Sequence, residues 1–431
     1  MLGGGNFTTQ NKKLPGSYIN FVNASKVGAT VGERGIAAIA MELDWGKDGE
    51  IMTITQSDFN KNSLSLLGYD YGNDKLKGLR DLFINIRTLY LYRLNSGTKA
   101  SCTYATAKCS GVRGNDLKIS IQTNIDDEDK YDVSTILGTK EIDKQTVTQA
   151  SELIDNDFVE FKKEATLTVT ASTPLTGGSN AESVTGANHQ TFLDKLEAYS
   201  FNALGCNSDD DSIKTLYENF TKRLRDEMGV KFQTVIFDDA SDYEGIINIV
   251  NETEEDTIGL IYWVTGIIAG CAINKSNTNK VYDGEYTVKV EQTQTELENC
   301  IDTGKLVLHK VGDEVRVLKD INSLVNTTDE KGEDFKNNQT IRVLDQTATD
   351  IANVFNNNYI GKVPNNQSGR VSLWNEIVSV FNQYQTLQAI EEFNSEEITV
   401  EQGNDKTSVV VNSAIQPVNA MEKLYMTVVV N

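Results

Sequence analysis

The sequence predicts a multidomain chain of mixed α/β and α+β class, and three observations carry that expectation. Its 431 residues amount to about three domains at ~150 residues each, and a hydrophobic fraction of 39% is enough to fill their cores. Apolar strands alternate with amphipathic helices from Gly35 and again from Asn188, the order that builds a sheet layered by helices. Between those stretches, residues 96–187 turn to Thr, Ser, Gly and Asp with alternating apolar positions, the texture of an inserted, β-sandwich-like module. The division that follows has an extended arm at 1–26, an α/β part at 27–95, the outward β-rich module at 96–187 and a central α/β domain at 188–336. An α+β C-terminal domain at 337–431 ends in a second arm, about 408–431.

The elements follow in order. Tyr18-Ile19-Asn20-Phe21-Val22 alternates like a strand after the Pro15-Gly16 turn. Strands are expected over Ile36 to Leu43 and Ile51 to Thr55, a helix over Asp74 to Asn85, and a strand over Thr88 to Leu94. In the module, Leu117 to Ile121 and Ala165 to Val169 alternate as strands between turn clusters at Gly111 to Asp116 and Gly177 to Asn180. Ile213, Leu216, Tyr217, Phe220 and Leu224 share one face of a helix that stops at Gly229. Asp209, Asp210 and Asp211 stand at its start and Lys222, Arg223 and Arg225 near its end, the sign order a helix dipole favours.

Val230 to Phe237 reads as a buried strand. The uncharged run Ile258 to Ile273 is 16 residues long, short of the ~20 that cross a bilayer, and its flank Glu252 to Asp256 is acidic. It reads as a buried core helix in which Gly266 and Gly270 permit close packing. A strand at Tyr286 to Val290, a short helix at Thr293 to Cys300 and a hairpin of Leu306 to Lys310 with Val315 to Lys319 come next. A strand at Thr340 to Leu344 is followed by a helix bearing Ala348, Ile351 and Phe355. A longer helix, 370–393, presents Leu373, Ile377, Phe381, Tyr384 and Leu387. Strands at Ser408 to Ile415 and Leu424 to Val430 close the chain.

Composition excludes several function classes. A formal charge of −22 argues against nucleic acid and against anionic membrane surfaces, both of which need clustered Lys and Arg. Four prolines leave no proline-rich linker, and Met1 to Asn6 lacks the charged start and apolar core of a secretory signal. Five cysteines (Cys102, Cys109, Cys206, Cys271, Cys300) contain no C-x-x-C pair, so neither a disulfide framework nor a zinc site is expected. The only histidines, His189 and His309, stand in no nucleophile motif, and no phosphate loop, nucleophile elbow or zincin motif occurs. Asn207, Asp209, Asp211 and Glu218 match positions of a calcium loop, but Ser212 occupies the position that needs glycine, so an acidic helix cap is the expectation. Asp238 and Asp239 follow a buried strand where α/β proteins bind ligands; this is the seed of an alternative reading as a ligand-binding enzyme. The acidic run Asp126 to Asp129 reads as a solvated loop.

The ends of the chain are the most informative. Leu424, Met426, Val428 and Val430 point to one face of a strand and Tyr425, Thr427 and Val429 to the other, so both faces seek burial. Such a strand either completes its own sheet or adds to a neighbour's.

The segments Phe7 to Lys12 and Leu14 to Phe21 resemble the start of contractile tail sheath proteins of Gram-positive phages, defective prophages and phage-tail-like bacteriocins. Gly32-Glu33-Arg34-Gly35, Gly111 to Asp116, Arg223 to Glu227, Gly361 to Asn365 and Ile415 to Met426 resemble that family in the same order, over the whole chain. The resemblance implies a structural subunit, not an enzyme, without cofactor, metal or catalytic residues. It implies a central domain of subtilisin-like fold and many identical copies polymerised around an inner tail tube protein, with baseplate and tail terminator proteins at the ends. Assembly in the bacterial host cytoplasm, release as a phage tail or tailocin particle, and contraction that drives the tube through an envelope are implied as well. Tyr18, Ile19, Asn20, Phe21 and Val22, and Leu424, Tyr425, Met426, Thr427, Val428, Val429 and Val430, become the expected subunit-linking arms. The C-terminal domain is implied to lie innermost, which makes Arg370, Asn375, Glu376, Gln383 and Gln388 of the 370–393 helix candidates for facing the tube.

Overall fold

An uninterrupted run of apolar residues makes β1 (Ile36–Met41) a strand that is buried on both sides, with Ala37 and Ile39 on one face and Ala38 and Ala40 on the other. The computed structural model describes residues 32–430. The Tyr18–Val22 segment therefore lies outside the described residues. β2 (Ile51–Thr55), α1 (Gln56–Leu67), α2 (Lys77–Phe83) and β3 (Thr88–Arg93) complete the first unit. The chain then leaves for the inserted module, with β4 (Ala105–Ala107), β5 (Leu117–Thr123), β6 (Tyr131–Leu137), β7 (Lys140–Val147), β8 (Val159–Phe161) and β9 (Thr170–Pro174). It returns through α3 (Gly186–Leu196), β10 (Ala203–Gly205), α4 (Asp211–Lys222), β11 (Gln233–Phe237), β12 (Ile246–Ile249), α5 (Leu260–Gly270), α6 (Gln294–Asp302) and β13 (Lys305–Leu306).

The two stretches on either side of the module form one sheet. Its order is β13-β12-β11-β10-β1-β3-β2, parallel throughout except for β2, which pairs antiparallel with β3. One face is covered by α1, α2 and α5, with Phe59, Leu79 and Trp263 in the core. The other is covered by α3 and α4 through Phe192, Tyr217 and Phe220. The hairpin β14 (Leu308–Val311) and β15 (Glu314–Val317) follows the sheet's edge.

α5 is buried along its length, as its uncharged sequence demands, and no described helix is long and apolar enough to cross a membrane. Arg34 caps it. Its Nε donates to the Cys271 carbonyl at 2.9 Å and a terminal nitrogen to Ile268 O at 3.1 Å, satisfying carbonyls that the last turn leaves open. Burial lowers the Arg34 pKa to about 10. A Cβ at Gly266 would meet Leu82 O at 2.8 Å, and one at Gly270 would collide with the Asn85 carbonyl. Gly270→Ala is accordingly expected to lower unfolding free energy by about 1–3 kcal/mol, the overpacking cost, despite alanine's better helix propensity. Chemical denaturation of the full chain measures it.

In the module, β7-β6-β5-β9 form an antiparallel sheet and β4-β8 a second, two-stranded one, around a core that includes Leu117, Ile119, Ile121, Val159 and Phe161. The two linkers to the main sheet run side by side. Thr98 N–H donates to Ser179 O and Ser179 N–H to Thr98 O, while Ala181 N–H donates to Asn95 O at 3.1 Å. Arg93, 1% exposed at the end of β3, donates to Ser110 O (2.7 Å), Asp48 Oδ1 (3.3 Å) and Asn180 Oδ1 (3.3 Å), fastening both linkers to the sheet.

The C-terminal unit comprises α7 (Asn338–Asn358), α8 (Gln367–Thr386) and the antiparallel pair β16 (Thr399–Gln402) and β17 (Val409–Asn412) around Val380, Phe381 and Tyr384. Two buried ion pairs lock it to the sheet domain. Arg225 meets Asp345 with two bonds of 2.7 and 2.9 Å, and Arg342 meets Asp320 at 2.7 Å with both side chains wholly inaccessible.

Four expectations are corrected. Thr340 to Leu344 is the start of α7 and not a strand: packing and the Asn337 cap outweigh its β-branched residues. Ala165 to Val169 is irregular, and pairing starts only at Thr170, opposite Ile121. Tyr286 to Val290 makes one isolated bridge, Val288 to Thr253, because the main sheet already ends at β13. The 370–393 helix spans Gln367–Thr386, which leaves Gln388 beyond its end with φ +58°.

Candidate functional site

The route of the chain after α8 sets the geometry. Glu391 N–H donates to Gln416 O and Val418 N–H to Ala389 O, both at 2.9 Å, which lays 416–418 against the segment that follows α8. The Gln339 amide, 2% exposed, then grips the chain from the other side. Its Nε2 donates to Val418 O (2.9 Å) and its Oε1 accepts from Ala420 N–H (3.0 Å), the pattern a neighbouring strand would offer. Thr340 Oγ1 donates to Asn419 Oδ1 at 3.2 Å, and Glu422 accepts from Thr278 Oγ1 at 2.9 Å with Lys319 at 3.7 Å. The anchorage stops there. Leu424, Tyr425, Met426, Val428, Val429 and Val430 are 70–90% exposed, and among the described residues no strand pairs with them.

The other end is anchored on the same helix. Gly32 N–H donates to both oxygens of Asp350, at 3.1 and 3.3 Å, and a Cβ on Gly32 would lie 2.7 Å from Gln346 Nε2 and 2.9 Å from Asp350 Oδ1. A side chain here would have to displace the ends of the Gln346 and Asp350 side chains. Asp350 also accepts from Tyr384 Oη (2.7 Å) and Gln346 Nε2 (2.8 Å). Burial raises its carboxyl pKa above the usual range, and these donors counteract part of that rise.

The candidates for facing a tube do not form one patch. Asn375 is exposed on the outer face of α8, with its amide donating to Val371 O at 2.9 Å. Glu376 and Gln383 are half-buried flanking positions. Arg370 is half-buried on the side of the apolar stripe and donates to Asn365 Oδ1 at 3.0 Å, and Gln388 is exposed beyond the helix.

The chemistry-bearing candidates resolve into structural roles. Asp210 caps α4, accepting from Ser212 N–H (2.8 Å) and Ile213 N–H (3.2 Å), while Glu218 pairs with Lys222 along the helix. Among the described residues no group of three His, Cys, Asp or Glu is placed to hold a metal ion. Asp238 has φ +42° and faces Lys305 at 3.8 Å; Asp239 N–H donates to Asn248 Oδ1, and burial raises its carboxyl pKa, with Glu218 adding to the rise. His189 is buried with Nδ1 at 3.1 Å from the Tyr217 hydroxyl, and desolvation lowers its pKa to about 4. A histidine so placed is neutral and serves packing. All five cysteines are free thiols.

Sequence reasoning missed Gly32, Gln339 and Asp350 as anchors. Gly32-Glu33-Arg34-Gly35 was visible as a motif, but its partner lies 318 positions away.

Comparison with known proteins agrees along the whole chain. Residues 182–323 match the phage tail sheath protein central domain and 330–431 the phage tail sheath C-terminal domain. Residues 95–180 match the phage tail sheath beta-sandwich domain and 34–94 the N-terminal region of domain III of tail sheath protein Gp18. The phage-like element PBSX protein XkdK of Bacillus subtilis is 32% identical over an alignment of 471 positions, with 100% of both chains covered. A crystal structure of the sheath tail protein from Desulfitobacterium hafniense superposes with a TM-score of 0.81 at 36% identity, covering 94% of this chain and 98% of that one. The helical sheath of the anti-feeding prophage in its contracted state shares the fold, with a TM-score of 0.58 at 12% identity over 97% of this chain and 99% of that one. With every described domain accounted for in this way, the chain belongs to the phage tail sheath protein family and is a structural subunit of a contractile tail sheath, not an enzyme.

Proposed function

We propose that this chain polymerises into a helical tube by lending its terminal segments, Tyr18–Val22 and Leu424–Val430, to the sheets of neighbouring copies. The observation that carries the reading is the exposed apolar run from Leu424 to Val430, which finds no partner strand among the described residues of its own chain. An apolar strand left in water is an aggregation hazard, and pairing with another copy removes it. The β16–β17 pair is the natural acceptor. It has only two strands, and Val410 and Val411 on β17 are exposed. The eight residues from Lys423 to Val430 reach roughly 27 Å when extended, enough to cross to an adjoining molecule.

In this reading the polymer encloses an inner tail tube protein, meets baseplate and terminator proteins at its ends, and is built in the host cytoplasm before release as a phage tail or tailocin particle. Asn375, Glu376 and Gln383 are the α8 positions best placed to meet the tube. Contraction draws on larger contact area between copies in the short state, without nucleotide, while the lent strands keep the subunits joined as the domains move as rigid bodies. The likeness of the central layer to a subtilisin-like fold is supported by its six parallel strands and three-layer build.

Electron microscopy of the assembled chain tests this. The expected result is cylinders with a cogwheel end view, whose helical reconstruction places 424–430 in a sheet of another copy. A reconstruction with both termini folded onto their own subunit would reject the proposal.

A further inference from the structure

α7 carries a buried polar stripe that a core helix does not need. Gln339, Arg342, Gln346 and Asp350 are spaced at i, i+3, i+7 and i+11, so they share one face of the helix, and all four are at most 5% exposed. The two ends of this stripe hold the two roots already described. Gln339 pairs with the backbone of Val418 and Ala420, and Asp350 receives the Gly32 N–H, supported by Gln346. The roots stand eleven positions apart on the helix, three turns or roughly 16 Å along its axis.

We infer that α7 is the tie between the two arms, with Gln339 and Asp350 as its positioning residues: tension entering through one lent strand passes along this helix and leaves through the other, without crossing the seven-stranded sheet or the inserted module. This rests on the strand-lending reading above and specifies what joins the links within each subunit. The geometry suits such a role. A hydrogen-bonded helix is stiff along its axis, and both grips act on backbone groups, so they hold whatever side chains the arms carry. The sheet domain meets α7 through Arg225 on Asp345, off this face, and through Arg342, within the stripe, on Asp320. The helix itself sets the spacing of the two exits.

The test uses tubes of the full chain, assembled alone or recovered in particles from host cells, and measures their mean length by electron microscopy before and after a fixed pulse of shear. Gln339→Ala and Asp350→Ala are expected to fold and assemble but to break, with mean length after shear at least threefold below wild type. Asp48→Asn, which weakens the Arg93 hub off the proposed path, is expected to match wild type. Clamp variants as resistant as wild type, or equal breakage in Asp48→Asn, overturn the inference. If an alanine variant does not fold, Gln339→Glu keeps the acceptor for Ala420 and loses the donor to Val418, and Asp350→Asn keeps one acceptor for Gly32; each must then show the same fragility, or the inference fails. A 424–431 deletion run alongside separates the two ideas. Tubes from that deletion sink strand lending itself, whereas its failure to assemble, combined with robust clamp variants, sinks only the role of α7.

Discussion

Deletion of residues 424–431 is expected to yield a folded monomer that no longer assembles. The segment buries almost nothing in its own subunit, and the last anchors, Gln339 on Val418 and Ala420 and the pair around Glu422, lie before the cut. Melting temperature and circular dichroism should therefore match those of the full chain. Assembly should not. Each lost link removes the burial of Leu424, Met426, Val428 and Val430, about 1.5–3 kcal/mol per side chain before the cost of ordering the strand. Even a net loss of 3 kcal/mol per link weakens each contact by more than about 100-fold, and every subunit of a polymer suffers it. Sedimentation and microscopy at concentrations where the full chain forms tubes provide the measurement. Tubes of ordinary length from the deletion would falsify the arm's role.

The second large effect is expected within the subunit. Arg342→Met removes one half of an ion pair in which neither side chain reaches solvent, and it leaves the Asp320 carboxylate with only Asn277 N–H and Asn338 Nδ2 as donors. Stranding a buried charge in this way costs about 3–5 kcal/mol. Arg342 itself is incompletely satisfied, since its Nε and second terminal nitrogen have no partner among the described residues, so the full pair is not a large net source of stability. The expected signature follows from that asymmetry. Arg342→Met should unfold at lower denaturant, with the C-terminal unit released before the sheet domain, and Asp320→Asn added to it should recover at least about 1 kcal/mol because the stranded charge is gone. A double variant as unstable as Arg342→Met alone would show that the charge is not the cause.

How far the sequence discloses this architecture depends on whether the governing contacts are local. α5 was legible because an uncharged run of that length has one soluble destination, the middle of a layered sheet. α4 was legible because its caps and dipole charges are adjacent in sequence. α1 was passed over: its sequence is weakly amphipathic, yet the Thr55 to Asp58 capping box at its start and Gly68 at its end were there to be read. The start of α7 was misread because Thr340, Ile341 and Val343 favour strands locally, and only their burial against distant segments settles the matter. The anchors of the arms were out of reach for the same reason. Gln339 and Asp350 look like ordinary polar helix residues until the chain brings Val418 and Gly32 to them from 79 and 318 positions away.

The side-by-side linkers of the inserted module have one more consequence. Because Thr98 pairs with Ser179 and Asn95 with Ala181, the module begins and ends at the same spot, and the strands on either side belong to a sheet that is complete without it. Evolution can therefore lengthen, shorten or redraw these eighty-odd residues as one exchangeable cassette, leaving the registry of β1, β3 and β10 untouched. The module can thereby change on a timescale that the sheet it is inserted into need not follow.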